Sequence, residues 1–299
     1  MRNNPLVSAI LPVYEPDEEW LEIAVRSVLN QSYDNLELVI VNDGSEKQLD
    51  EIINPKIIEK ENVRGYYQEN QGFTGATNTA ISKAKGKYVA PIGQDDMWNK
   101  KKIEKQITDM QTSDVASFSK AKIIDKNGSR VSSMGKIQTD NIERKLLEGN
   151  FICYEGSLIK KSEMPDSYLN TDYQVSSDYD LWLNLLPGED FSYIDEYLVK
   201  KRRHEEAGSF DPSQYFDEDR NIIKNYCKDS EIDFKDVWSP YLRRKGKGLY
   251  KIGKKKEART FWKKSFFTQK NIFSLALLAL SFNKTLYNSI NELYRKHAN

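Results

Sequence analysis

Two apolar runs separated by an amphipathic stretch occupy the first 41 residues and limit the chain to few architectures. Val7-Ser-Ala-Ile-Leu-Pro-Val-Tyr14 reads as a buried strand, and Leu36-Glu-Leu-Val-Ile-Val41 as another. Between them, Glu18 to Gln31 places Leu21, Ala24, Val25, Val28 and Leu29 at helical spacing. A strand, a helix and a parallel strand demand a right-handed crossover in an open α/β sheet, whose ligands bind beyond the carboxyl ends of the strands.

The pattern continues with a strand expected at Ile57 to Glu61, a helix over Gly72 to Ala84 and a strand at Tyr88 to Ile92. Ile103, Ile107 and Met110 mark a further helix. From Val115 to Arg203 short strands alternate with polar turns such as Asp125-Lys-Asn-Gly128, and helices are expected near Asn141 to Leu147 and over Asp178 to Leu186. The second of these begins at Ser176 and Ser177 and turns Leu181, Leu185 and Trp182 inward. Beyond residues 210–218 the chain reads as helical to its end.

Zero net charge hides an asymmetry. Residues 240–299 hold 15 Lys and Arg against Glu257 and Glu292, a net of +13, so the remainder carries −13. A basic tail on an acidic body suggests an anionic partner, either lipid headgroups or nucleic acid. We expect lipid, with Phe261, Trp262, Phe266, Phe267, Ile272 and Phe273 nearer the bilayer and the cations outward; the alternative is that these aromatics pack the tail onto the rest of the protein. The run Ile272 to Phe282 is broken by Ser274 and Ser281 and falls short of the roughly 20 residues a membrane span needs. Cys153 and Cys227 are isolated, with neither metal-ligand nor disulfide spacing, and no apolar leader follows Met1. These features predict a reducing, cytoplasmic location, with peripheral attachment to the inner face of a membrane through the tail.

Chemistry concentrates where strands end. Tyr88-Val-Ala-Pro-Ile-Gly-Gln-Asp-Asp96 delivers two adjacent carboxylates, which suit a hard divalent ion holding the phosphates of a substrate. Asp is equally favoured at helix starts, so the pair alone does not decide. Asp43 lies at the equivalent place after the second strand, and that agreement favours a site.

Taken in order, Val7 to Tyr14, Val41-Asn-Asp-Gly-Ser45, Glu69-Asn-Gln-Gly72, Ala76-Thr-Asn78, Gln94-Asp-Asp96 and Ser177-Asp-Tyr-Asp-Leu-Trp182 resemble glycosyltransferase family 2. The resemblance covers about residues 5–205. It implies an inverting, nucleotide-sugar-dependent transferase with the GT-A fold, a Rossmann-like mixed sheet flanked by helices, here with a C-terminal helical extension. By resemblance, 1–215 is the catalytic domain, divided into a nucleotide-binding half (1–112) and an acceptor-binding half (113–215), and 216–299 is a basic helical region. Pro12, Tyr14, Glu15, Asp43, Asn70, Gly72, Asn78 and Asp95 match nucleotide-site positions, Asp96 the metal acid and Asp178 the general base. His204, in Lys201-Arg-Arg-His204, is a further candidate for phosphate or metal. Mn²⁺ or Mg²⁺ is the implied cofactor, a UDP-sugar the donor, and a glycan, free or linked to lipid or protein, the acceptor, touched by roughly residues 150–157. A bacterial surface polysaccharide or glycoprotein glycan is the implied product.

Two positions depart from the family's pattern: Gly93 stands where many members have Asp, and Thr77 where many have Arg. They are the only support for the alternative of a degenerate GT-A domain kept for binding or assembly. A dinucleotide oxidoreductase would need Gly-x-Gly-x-x-Gly after the first strand, where this chain has Tyr14-Glu-Pro-Asp17, and a P-loop enzyme would need Gly-x-x-x-x-Gly-Lys-Ser/Thr. Neither motif occurs, and a nucleic-acid partner is not expected.

Overall fold

The computed structural model describes residues 4–137, 140–204 and 215–282. Two compact units emerge: Met1–Ile142 with Phe151–Phe210, and Glu143–Asn150 with Asp211–Asn299.

In chain order the elements are β1 (Val7–Val13), α1 (Glu18–Leu29), β2 (Leu36–Asp43), the single turns α2 (Leu49–Ile52) and α3 (Pro55–Ile58), β3 (Val63–Gln68), α4 (Gly72–Lys83), β4 (Tyr88–Pro91) and β5 (Met97–Trp98). They continue with α5 (Lys102–Asp109), β6 (Ala116–Ile124), β7 (Arg130–Met134), α6 (Ile142–Leu147), β8 (Ser157–Lys160), α7 (Ser177–Leu185) and β9 (Phe191–Arg202). The helices α8 (Phe216–Lys228), α9 (Phe234–Lys251), α10 (Lys255–Gln269) and α11 (Ile272–Leu280) follow.

One mixed sheet, ordered β3-β2-β1-β4-β8-β6-β9-β5 with β7 beside β6, runs through the first unit. β3, β2, β1 and β4 are mutually parallel, whereas β8 is antiparallel to both its neighbours. Every residue of β2 is buried, which accounts for the apolar run Leu38–Val41, while its polar residues Glu37, Asn42 and Asp43 are each held by hydrogen bonds. The expected strand at Ile57 to Glu61 is displaced. Asn54 accepts a hydrogen bond from Lys56 N and Pro55 opens a helical turn there, so the strand forms at Val63–Gln68 instead. β3 lies at the edge of the sheet and alternates between sheltered and exposed residues, which is why its sequence is polar.

The four parallel strands start on one buried carboxylate. Glu37 Oε1 accepts hydrogen bonds from Ser8 Oγ (2.5 Å) in β1 and from Lys85 N (2.7 Å) before β4, while Oε2 meets Arg64 Nη2 of β3 at 2.6 Å. Ser8 Oγ in turn accepts from Gly86 N at 2.8 Å. Gly86 admits no side chain, since a Cβ there would lie 2.7 Å from both Ser8 N and Ser8 Oγ. Burial pushes the Glu37 carboxyl up, but Ser8, Lys85 N and Arg64 together bring it below its ordinary value.

In the second unit α9 and α10 lie against each other through Trp262, which is fully buried. Its Nε1 donates to Arg243 O at 3.2 Å, and a Cβ on Gly246 would come within 2.5 Å of that nitrogen. Trp262 is therefore a core residue of this unit, contrary to the lipid-facing position expected for it. Phe261 is half-buried against Phe216, with ring centroids 5.0 Å apart. Tyr226 Oη donates to Glu143 Oε1 (2.7 Å) and Arg244 Nη1 to Gly149 O (2.9 Å), which ties residues 143–150 to α8 and α9.

Glu37→Ala should lower stability by about 3 kcal/mol in urea unfolding at neutral pH, because Arg64 and Ser8 lose their partner in the sheet. The folded value of Glu37 is depressed, so its contribution is present above the ordinary carboxyl value of 4.5 and is lost as pH falls through the folded one. The gap between wild type and variant should close on acidification.

Candidate active site

At the opposite ends of the parallel strands the sheet opens. Pairing between β1 and β4 stops at Ile10 with Pro91, and Pro12 has no N–H with which to extend it. The side-chain amide of Gln94 bridges the gap: Tyr14 N donates to its Oε1 (2.9 Å) and its Nε2 donates to Tyr14 O (3.1 Å). Tyr14 itself is half exposed. Next to it Glu15 adopts φ +40°, its N–H donates to Ser45 Oγ (3.0 Å), and its Oε1 accepts from Glu46 N (2.8 Å).

Asp43, at the end of β2, is buried, and its Oδ1 accepts from Gln68 Nε2 (2.7 Å) and Gln71 N (2.9 Å). Gly44, with φ +82°, turns tightly enough that a Cβ would meet Asn70 N at 2.9 Å. Asn70 Oδ1 accepts from Gly72 N at 3.1 Å. The chain thus gathers Pro12, Tyr14, Glu15, Asp43, Asn70 and Gly72 along the ends of β1, β2 and β3. Asn78 is used differently: its Nδ2 donates to Leu169 O (2.8 Å) and its Oδ1 accepts from Leu169 N (2.9 Å), so the amide is spent on holding that loop.

Asp95 and Asp96 lie past β4, fastened by the end of β9. Arg202 N donates to Asp96 Oδ1 (2.8 Å), Arg202 Nε donates to Asp95 O (3.2 Å), and the guanidinium lies 4.7 Å from the centre of the Trp20 ring. His204 packs against Trp20 with the ring planes tilted by 55°, and its Nε2 is 3.0 Å from Asp95 Oδ2. Its ring is thus a partner of Asp95. Gly93 explains one departure from the family's pattern: a Cβ there would come within 2.6 Å of Asp96 Oδ2. Thr77 is fully buried with its hydroxyl unpartnered.

Two groups were less legible in the sequence. Glu155 is buried, with Lys201 Nζ 2.5 Å from its Oε1 and Cys153 Sγ donating to its Oε2 at 3.3 Å. Burial pushes the Glu155 carboxyl up, but Lys201 brings it net below the ordinary value. Behind it Lys102, fully buried, donates to Ser157 O and Gln106 Oε1 (both 2.9 Å), and Gln106 Nε2 donates to Gly156 O at 3.0 Å. Burial lowers the Lys102 ammonium to about 7. The charge partner of Glu155 lies 46 residues away and the carbonyl that Lys102 meets lies 55 away, so local spacing does not mark either group.

Negative charge is in excess around Asp96. Burial first, then the Glu155 carboxylate and more weakly Asp95, push the Asp96 carboxyl up to about 8, against the opposing pull of Lys201 and Arg202 N. Asp95 Oδ1 and Asp96 Oδ2 accept no hydrogen bond among the described residues. A hard divalent cation fits this donor set, since such ions take one or two carboxylates and complete their shell with substrate phosphates and water. Among the described residues no three His, Cys, Asp or Glu side chains form a closed metal cluster.

Asp178 is the second residue of α7, which starts after Ser176, and is half-buried. Its charge and that of Glu155 both raise the buried Tyr154 hydroxyl, after burial itself. Asp180, two residues on, instead accepts a hydrogen bond from the Asn170 side chain and feels the charge of Asp172. Thr74 Oγ1 of α4 joins Tyr173 O (2.8 Å) and Ser177 Oγ (3.0 Å), which links the start of α7 to the first half of the sheet.

The model of glycosyl transferase family 2 matches residues 8–162. An uncharacterized glycosyltransferase of Rickettsia felis is 30% identical over 257 residues, covering 80% of this chain and 41% of its own length. The chain thus spans less than half of that relative. TuaG, a putative teichuronic acid biosynthesis glycosyltransferase of Bacillus subtilis, is 42% identical over 105 residues, 34% of this chain and 41% of its own. Among solved structures, residues 1–349 of S. aureus TarS in complex with UDP-GlcNAc superpose with a TM-score of 0.63 at 17% identity, covering 98% of this chain and 92% of that one. The mannosyltransferase PcManGT from Pyrobaculum calidifontis, in complex with GDP-Man and Mn²⁺, gives 0.61 at 14% identity, covering 96% and 83%. The mixed sheet and its helices define a GT-A fold. The chain belongs to glycosyltransferase family 2.

Because Asp96 is raised from 3.8 to about 8, the folded chain keeps a proton that the unfolded chain has lost over that interval. Stability therefore falls as pH rises across it. In a chelator, the urea midpoint of Asp96→Asn should gain on wild type as pH rises from the ordinary value of 3.8 to about 8.

Proposed function

We propose that the protein moves a sugar from a nucleotide donor, a UDP-sugar, to a hydroxyl of a growing glycan, with inversion at the anomeric carbon. The observation that carries this reading is the gathering of Asp43, Asp95 and Asp96 at the strand ends, together with Asp178, whose charge meets that of Glu155 at Tyr154.

Asp43, held by Gln68 and Gln71 N, keeps Oδ2 for the ribose or base of the donor, and the exposed Tyr14 ring offers the base a flank. Asp96, with Asp95 beside it, would hold Mn²⁺ or Mg²⁺, which supplies positive charge to the departing diphosphate. Arg202 and His204 fix the two acids in place. Asp178 stands in the first turn of α7. Its carboxylate takes the proton of the acceptor hydroxyl as that oxygen bonds to the anomeric carbon and the bond from that carbon to the diphosphate oxygen breaks. Residues 150–157 border the acceptor. Cys153 and Cys227 are both free, in keeping with a cytoplasmic setting. No described helix is long and apolar enough to cross a membrane.

A panel of nucleotide sugars with Mn²⁺ tests the reading. Asp178→Asn should lower kcat by about 10²- to 10⁴-fold with the donor KM little changed. Asp96→Ala should abolish the response to Mn²⁺. UDP binding by wild type without turnover of any sugar nucleotide would replace transfer with a binding or assembly role.

A further inference from the structure

The first half of α11 reverses the usual amphipathic arrangement. Ser274, its only polar residue, is fully buried with its Oγ 2.7 Å from Ser265 Oγ, and Ser265 Oγ also donates to Ser239 O at 2.8 Å. In its first half the apolar residues face outward, with Ile272 72% exposed, Phe273 58% and Leu275 46%, while Leu277, Leu278 and Leu280 pack against the cluster around Trp262. Just before the turn at Lys270, Phe267 at the end of α10 is 77% exposed. Single exposed apolar residues are ordinary, but four on two adjoining helix ends form a patch that calls for a partner.

Cations flank this corner. Lys263 lies one turn before Phe267 on the same face of α10, Lys256 lies two turns before Lys263, and Lys270 occupies the turn itself. Between residues 240 and 282 there are 12 Lys and Arg and one acid, Glu257. The corner is also firmly built. Arg259 donates from Nε to Ser281 Oγ and from Nη2 to Ser281 O, both at 2.9 Å, and stacks 4.0 Å from the centre of the Phe282 ring, so α11 is held onto α10 at its far end.

We propose that the α10–α11 corner docks on an anionic lipid bilayer, with Phe267, Ile272 and Phe273 below the headgroups and Lys263 and Lys270 at the level of the phosphates. Apolar side chains bounded by lysines are the pattern of a helix lying in a membrane interface. Nine residues of α11 span about 14 Å, so it rests in one leaflet rather than crossing. A second copy of the chain would bring the same positive charge to the contact. Nucleic acid would find its phosphate partners here and could stack on Phe267 and Phe273, but it would leave the aliphatic Ile272 and Leu275 in water, whereas a bilayer buries all four. The inference does not depend on the transferase reading.

Flotation of the full chain with phosphatidylglycerol–phosphatidylcholine vesicles, against phosphatidylcholine alone, tests it. Wild type should float with the anionic vesicles and lose binding as salt is raised. Replacing Phe267, Ile272 and Phe273 together by Ser should lower the partition coefficient by at least about 100-fold. Lys263→Glu with Lys270→Glu should reduce it by about 10-fold or more. Phe267→Trp should shift its emission to the blue with anionic vesicles alone. Equal flotation of the triple variant, or no flotation of wild type, overturns the proposal. So does a concentration-dependent dimer that the triple variant abolishes, which would assign the corner to a second copy.

Discussion

Four parallel strands that begin on a single carboxylate are set in register from that point onward. Glu37 joins Ser8 of β1, Arg64 of β3 and the backbone just before β4, so one side chain aligns the starts of all four. Their opposite ends then fall along one edge. Asp43, Tyr14 and the loop of Asp95 and Asp96 meet there because the strands that deliver them share an origin. The buried acid at the closed end and the acids at the open end are thus parts of one arrangement: the first is fully neutralised, the others are not.

That contrast is the electrical character of the site. Glu37 has Arg64, Ser8 and an amide to satisfy it, and Glu155 has Lys201. Asp96 has an amide hydrogen and an uncomfortable neighbourhood of like charge, which favours its protonated form in the chain alone. On the transferase reading proposed above, a nucleotide donor carrying its cation would relieve that crowding of like charge.

The parallel half of the sheet was legible because strands buried on both faces are written as predominantly apolar runs, as in β1, β2 and β4, interrupted only by the hydrogen-bonded Ser8 and Glu37 near their starts and by Asn42 and Asp43 at the end of β2. β3 was misplaced because an edge strand has one sheltered side and its sequence is correspondingly polar. In the site, Asp43 and the Asp95–Asp96 pair stood out by their position after strands. Glu155 and Lys201 lie 46 residues apart and meet only through the pairing of β6 with β8 and β9. Spacing along the chain carries no trace of such a meeting. The tail's positive charge was plain, but which aromatics face outward was not: Trp262 and Phe267 are five residues apart on α10, one fully buried and the other almost bare.

Beyond Pro12 the backbone ladder between β1 and β4 is replaced by the two hydrogen bonds of Gln94. A neutral hydrogen bond contributes about 1 kcal/mol net, so parting this strut is far easier than unzipping paired strands. The segment bearing the twin acids is therefore tied only lightly to the Tyr14 side, and its firmer attachment is to Arg202 at the end of β9.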